Sequence, residues 1–439
     1  MQTSTRTEFR RLSGRPRESR QTYRNGAIEC CGQFSILPNH NFRNPRLSLY
    51  TLTMFSDRTR WNLQENRLSR ALAEAKSAGR RILDLTRSNP TECRFTYDEA
   101  AILRAFERRE LLQYAPEAHG MLGAREAVAR YYAARGDWVG VDDLVLTSGT
   151  SEGYSSIFKL LCNAGDEILI PSPGYPLFDF LADLCDVKLV RYPLLYDHGW
   201  QIDFSALKTA ASERTRAVVV VHPNNPTGHY ASRSEQGELS RFCADRGVAI
   251  ISDEVFLDFY LGASNAASFC AGDQALTFTL SGISKVCGLP QMKLAWVAVS
   301  GPEQQKREAL ARLEVIADSY LSVGTPVQVA ASALLGTRVE FQQQVMTRVR
   351  ANLSELDARL AHQPICQRLE LSGGWSVVLR VPALQSDEDL AVLALTSKEV
   401  SIHPGHFYDF AQEGFLVASL IVPEQEFAEG IRRLLAHFE

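Results

Sequence analysis

The sequence predicts an α/β fold: a mostly parallel, seven-stranded sheet flanked by helices, followed by a smaller α+β domain. Three observations predict it. Between residues 144 and 301 seven short apolar runs recur, "LVLTSG", "EILIPSP", "VKLVRYP", "AVVVVHP", "VAIISDE", "TFTLSGIS" and "LAWVAVSG", most of them rich in β-branched residues. Near-continuous apolar runs of this length are strands buried on both faces. Helical stretches and loops separate them, the alternation that builds a parallel sheet covered by helices. Beyond Gly324 the order changes to a long helical section and then short mixed strands, which reads as a separate domain.

The first 53 residues stand apart. They hold nine arginines, no lysine and three glutamates, without a hydrophobic period. Such a composition fits an organelle transit peptide, and equally a disordered tail or a start placed upstream of Met54. The last two readings are preferred, because no amphipathic helix is visible. From Met54 the pattern is globular. "NRLSRALAEAKSAG" predicts a helix ending at Gly79, and "DEAAILRAFERRELLQY" predicts a second, continuous one. The expected organisation is an N-terminal segment 54–98 joining the small domain, a large domain 99–325 and a small C-terminal domain 326–439.

Composition narrows the function. A chain of 439 residues with 45% hydrophobic content and a net charge of -4 offers no electrostatic case for nucleic acid or membrane. No apolar run approaches the roughly 20 residues needed to cross a bilayer. The nine cysteines show no CxxC pair and no metal spacing, so no metal site is expected and the thiols read as reduced, in a cytoplasmic setting.

In an open α/β sheet, ligands bind beyond the carboxyl ends of the strands. The residues there are Ser148, Gly149, Thr150 and Ser151 opening a helix, Tyr175 on the turn "PSPGYP", Asn225 in "HPNNPTG", Asp253 after "VAIIS" and Lys285 after "SGIS". A glycine turn with hydroxyls at a helix start is a phosphate site in outline, although Ser and Thr cap most helices. An isolated Asp253 would read as a cap, and an isolated Lys285 as a surface charge. Together, a phosphate cradle, an aromatic ring, an amide, a carboxylate and a lysine describe a pocket for pyridoxal phosphate, whose chemistry needs a lysine and an acid for the ring nitrogen.

"NNPTG", "SDE" and "SGISK" at these separations resemble the class I/II, fold-type I aminotransferases, pyridoxal phosphate-dependent transferases of nitrogenous groups, from about Asn66 to the C-terminus. The resemblance implies that Lys285 is the Schiff-base lysine and moves the substrate proton, with Ser284 before it as in many members. It implies that Asp253 pairs with the pyridinium and Asn225 with the ring hydroxyl. Gly149, Thr150 and Ser151 then bind the phosphate, Tyr175 stacks on the ring, and Tyr114 in "YAPEAHG" reaches the neighbouring subunit's phosphate in a homodimer. The implied reaction moves an amino group from an amino acid to a 2-oxo acid.

Three departures from the family pattern bear on this reading. Lys293 stands where relatives carry a phosphate-gripping arginine; it keeps the charge but lacks the planar two-bond fork. Phe256 replaces a tyrosine that donates to the ring hydroxyl, leaving Asn225 as the main partner. Val417, in "FLVASLI", replaces the arginine that clamps the substrate carboxylate. Arg87 and Asn89 in "LTRSNPTEC" and Arg380 in "GGWSVVLRVP" are candidate substitutes; Trp375 reads as a pocket-lining residue or as core, and core is preferred. The loss also leaves open a related enzyme on the same cofactor: a C–S lyase, a decarboxylase or an amine-acting transferase.

Overall fold

The structure is a computed structural model that describes residues 54–438 apart from 264–265 and 322. The arginine-rich segment, and every expectation about it, lies outside the described residues. The main sheet has eight strands: β1 (Leu144–Thr147), β2 (Glu167–Ser172), β3 (Lys188–Tyr196), β4 (Trp200–Ile202), β5 (Thr215–Val221), β6 (Ala249–Asp253), β7 (Thr277–Gly282) and β8 (Ala295–Ser300). Their order is β1-β8-β7-β6-β5-β2-β3-β4. Strands β7, β6, β5, β2 and β3 run parallel, β8 is antiparallel to both β1 and β7, and β4 folds back on β3. The seven expected runs are all strands of this sheet. The eighth, β4, spans three residues and is too short to show a period.

Alternation along the strands sends neighbours to opposite faces. Ile168, Val219 and Phe278 meet Ile157, Phe158 and Leu313 on one face. On the other, Leu169, Val218 and Ile250 meet Leu239 and Phe242. Helices thus cover both sides and leave the strand ends for chemistry.

A second, antiparallel sheet contains β9 (Gln367–Arg368), β10 (Ser376–Arg380), β11 (His403–Pro404) and β12 (Phe415–Ser419), in the order β9-β10-β12-β11. The N-terminal segment joins this side: Leu83–Asp84 pairs with Val400–Ser401, and Arg67, in the helix Arg67–Ser77, forms an ion pair with Asp389.

One helical expectation is corrected and another resolves into two helices. "DEAAILRAFERRELLQY" is a short helix, Glu99–Arg104, then a 3-10 turn, Arg109–Leu112, with Arg108 extended between them. Leu103 and Leu112 are 66% and 89% exposed, so a continuous helix would have no apolar face to bury in this chain. The long section after Gly324 breaks at Thr337 into Thr325–Gly336 and Arg338–Leu360. The first of these packs Ala330, Ala331 and Leu334 against Ala124, Ala127 and Val128 of the helix Leu122–Arg135, on the main-sheet side.

Where the two sheets meet, the backbones approach closely. Gly228 has φ +69°, and a Cβ on it would stand 2.5 Å from the Gly373 carbonyl oxygen, so only glycine fits both the conformation and the space. This contact sets the start of β10 over the end of β5.

Candidate active site

Strand β6 ends in Asp253, which is 8% exposed. Its carboxylate accepts from the Tyr154 hydroxyl at 3.0 Å and from the Val255 N–H at 3.2 Å. Burial raises the carboxyl to about 6, against the downward pull of the Val255 N–H, Tyr154 and the Lys285 ammonium. Its neighbour Glu254 points the other way, as strand alternation requires, and accepts from Ser252 Oγ, Ser268 Oγ and the Phe269 N–H. The site side of "SDE" therefore carries one acid.

Strand β7 lies beside β6, with Leu280 opposite Asp253, and runs directly into the turn Ile283–Val286 that holds Lys285. The Lys285 Nζ sits 5.7 Å from the ring centroids of both Phe256 and Trp375. Trp375 is 3% exposed and packs edge-on against Phe256 and Phe259. It is core, as expected, and it also flanks the lysine. A Cβ on Gly282 would come within 3.1 Å of Leu294 and Ala295 atoms, so the glycine of "SGISK" lets the lysine turn lie against the segment that carries Lys293.

Lys293 has φ +56° and ψ +56°, a left-handed conformation uncommon outside glycine. Its Nζ lies 3.7 Å from the point where a Cβ on Gly149 would stand. Gly149 caps the helix Thr150–Leu161, its carbonyl accepting from the Glu152 and Gly153 N–H groups, so the positive end of the helix lies at this turn. A lysine ammonium beside a helix N-terminus is an anion site. Ser148 does not contribute, because both its N–H and its hydroxyl donate to Glu152.

The two asparagines of "NNPTG" divide their roles. Asn224 is 3% exposed and is consumed by the turn, accepting from Thr227 and donating to the Pro173 carbonyl. Asn225 is half-buried, and its Oδ1 accepts from the Ser376 hydroxyl at 3.1 Å, a bond reaching across from the second sheet. Tyr175 is partly buried against Phe178, on a loop tied to the second sheet by the Gly174 N–H donating to the Tyr408 carbonyl.

A family model for aminotransferase class I and II matches residues 83–430. The chain belongs to the class I and II aminotransferases. This is a pyridoxal phosphate-dependent family of fold type I. Among its relatives, the chain is 28% identical over 270 residues to glutamate-pyruvate aminotransferase AlaA of Escherichia coli K12, covering 60% of this chain and 67% of that one. It is 26% identical over 372 residues to the alanine aminotransferase of Mycobacterium tuberculosis H37Rv, covering 82% and 86%. Among solved structures, alanine aminotransferase from Pyrococcus furiosus superposes with a TM-score of 0.78 at 22% identity, over 84% of this chain and 95% of that one.

Of the remaining candidates, the three proposed for the substrate are engaged elsewhere, and one is open to solvent. Tyr114 is 76% exposed. Arg87 forms an ion pair with Glu426 at 3.1 Å. Asn89 caps a 3-10 turn through Thr91 and donates to Glu92. Arg380 is exposed and lies over the rings of Tyr196 and Phe415, four residues along β10 from Ser376, roughly 13 Å at the rise of a strand. Val417 is 2% exposed in an apolar wall, paired with Val378 on one side and His403 on the other. Two contributors were not singled out from the sequence: Tyr154 on Asp253 and Ser376 on Asn225. A buried acid needs donors, and a tyrosine one helical turn past the phosphate loop was the signal for the first. Ser376 gave none.

Proposed function

We propose that this chain transfers an amino group from an amino acid to a 2-oxo acid, with pyridoxal phosphate attached at Lys285. The observation that carries the reading is the placement of Asp253 and Lys285 at the ends of adjacent parallel strands, with Lys293 at the Gly149 turn. The residues fit the cofactor. Thr150, Ser151 and Lys293 would hold its phosphate, Asn225 its ring hydroxyl, Asp253 its ring nitrogen and Tyr175 its ring face. Bound there, pyridoxal phosphate supplies an electron-accepting ring for the charge left when a proton departs the substrate α-carbon. Asp253, as the carboxylate, holds a proton on the ring nitrogen. Lys285 Nζ takes the α-carbon proton and delivers it elsewhere on the reacting group, while Phe256 and Trp375 keep water away. The names of the AlaA and Mycobacterium relatives support alanine, glutamate and pyruvate as the first substrates to try. The reading includes a homodimer in which Tyr114 reaches the partner's phosphate, and a cytoplasmic setting. Among the described residues no helix is long and apolar enough to cross a membrane.

Borohydride reduction of the cofactor-loaded enzyme should tag one peptide, the one containing Lys285, and Lys285→Ala should abolish the tag. A tag on another peptide overturns the assignment. The apolar wall at Val417 favours a second reading, an amine donor with no carboxylate at that place. A half-reaction screen of each amino acid beside its decarboxylated amine decides between the two.

A further inference from the structure

Tyr154 carries no role in the reading above, yet its hydroxyl bonds the acid at the centre of the site. We infer that Tyr154 is a positioning residue for the cofactor acid: its hydroxyl, donating to Asp253 Oδ2, holds that carboxylate ionised and aimed into the site. The inference rests on the proposed role of Asp253.

The geometry is specific. The donor and acceptor are 3.0 Å apart, and the two residues are 2% and 8% exposed, so water does not compete for the bond. The Tyr154 ring is clamped edge-on between Phe158 and Phe178. Gly153 before it packs directly on Leu280 and Val297, pressing this turn of helix onto β7 and β8. The hydroxyl therefore has a fixed position. It also stays a donor, since burial and the adjacent carboxylate push the phenol well above its ordinary range. The other groups bearing on Asp253 are the Val255 N–H and the Lys285 ammonium, while Tyr175 and Tyr192 bear on Tyr154. The His222 N–H is spent on the Asp253 backbone carbonyl. Tyr154 bonds the carboxylate through a side chain that cannot itself react.

Burial opposes the charge on Asp253, and Tyr154 offsets part of that opposition. The carboxyl lies above its ordinary value, near 6, so in the cofactor-free chain its contribution to stability is fullest below about 4 and is lost as pH rises through 6. Cofactor binding with a protonated ring nitrogen needs the carboxylate, so affinity falls as pH drops below 6. Without the hydroxyl both transitions move up.

The experiment measures the cofactor dissociation constant of apoenzyme from pH 5 to 9 for wild type, Tyr154→Phe and Asp253→Asn. Phe keeps the ring and its packing. The pH below which affinity is lost should rise by about one to two units in Tyr154→Phe, the worth of a hydrogen bond to a charged group, with affinity at pH 9 within about threefold of wild type. The melting temperature of the cofactor-free variant, followed over the same range, should fall with rising pH up to a correspondingly higher limit. Weakening by the same factor at every pH, or an unmoved midpoint, overturns the positioning role. Asp253→Asn separates the two claims: if it binds cofactor as wild type does at all pH, the role given to Asp253 fails. If it binds weakly while Tyr154→Phe leaves the midpoint in place, only the assignment of Tyr154 fails.

Discussion

Replacing Lys293 by methionine removes a charge from the Gly149 turn while keeping an unbranched side chain of similar length. Its backbone is left-handed, a conformation that costs of the order of 1 kcal/mol for a residue with a Cβ. The chain thus spends conformational energy to deliver this ammonium within 3.7 Å of the Gly149 Cβ position. A hydrogen bond to a charged group contributes about 1.5–3 kcal/mol, or roughly 12- to 160-fold in affinity. Lys293 is exposed, and at 0.15 M salt charges are screened over about 8 Å, so the lower end of that range applies there. Glu152 adds a reason for the cation, because its carboxylate at the start of the same helix repels a phosphate. Equilibrium dialysis of pyridoxal phosphate against apoenzyme should show Lys293→Met weaker by about 10- to 30-fold at 0.15 M salt, and weaker still at 0.02 M. Lys293→Arg should stay within a few-fold of wild type. Affinity equal to wild type at low salt in the methionine variant would refute the reasoning, because a phosphate held by the helix N-terminus alone needs no lysine.

Ser376→Ala frees the Asn225 amide, so the pH at which the bound cofactor changes its visible absorption should move by up to about one unit, while Ser376→Thr stays near wild type. An unmoved transition in the alanine variant shows that the amide is oriented by something else. Arg87→Ala and Arg380→Ala should each leave the preference for an amino acid over its amine within about threefold of wild type, since one guanidinium is paired with Glu426 and the other lies over two rings. A loss of about 30-fold confined to the acid would restore that arginine as the carboxylate clamp.

The parts of this site that lie on strand ends were legible, and the parts that reach them from elsewhere were not. Asp253 and Lys285 follow apolar runs directly, so the rule that ligands bind at carboxyl ends points to them from sequence alone. Tyr154 is 99 residues from Asp253 along the chain, and Ser376 is 151 from Asn225. Neither pairing follows from local pattern, because each depends on how a helix or a second sheet docks. The same distinction holds for the fold. The long strands announced themselves by continuous burial, whereas β4 is defined by its hairpin with β3 and not by its own three residues. The residues around Leu103 and Leu112 have a helical sequence but no surface in this chain to lie on, and the helix stops.

The hydroxyl–amide bond between Ser376 and Asn225 also bears on how such a protein can be recombined. Asn225 belongs to the main sheet's loop and Ser376 to the second sheet, with the Gly228–Gly373 contact holding them in register. A chimera that kept the larger half and took its C-terminal part from a relative would retain every residue assigned to hold the cofactor, yet could lose the hydroxyl that holds one of them. The colour of its bound cofactor would then follow the donor of the C-terminal part. With Asn225 in its proposed role, the cofactor's electronic environment would be a property of the seam between two halves, inherited from both.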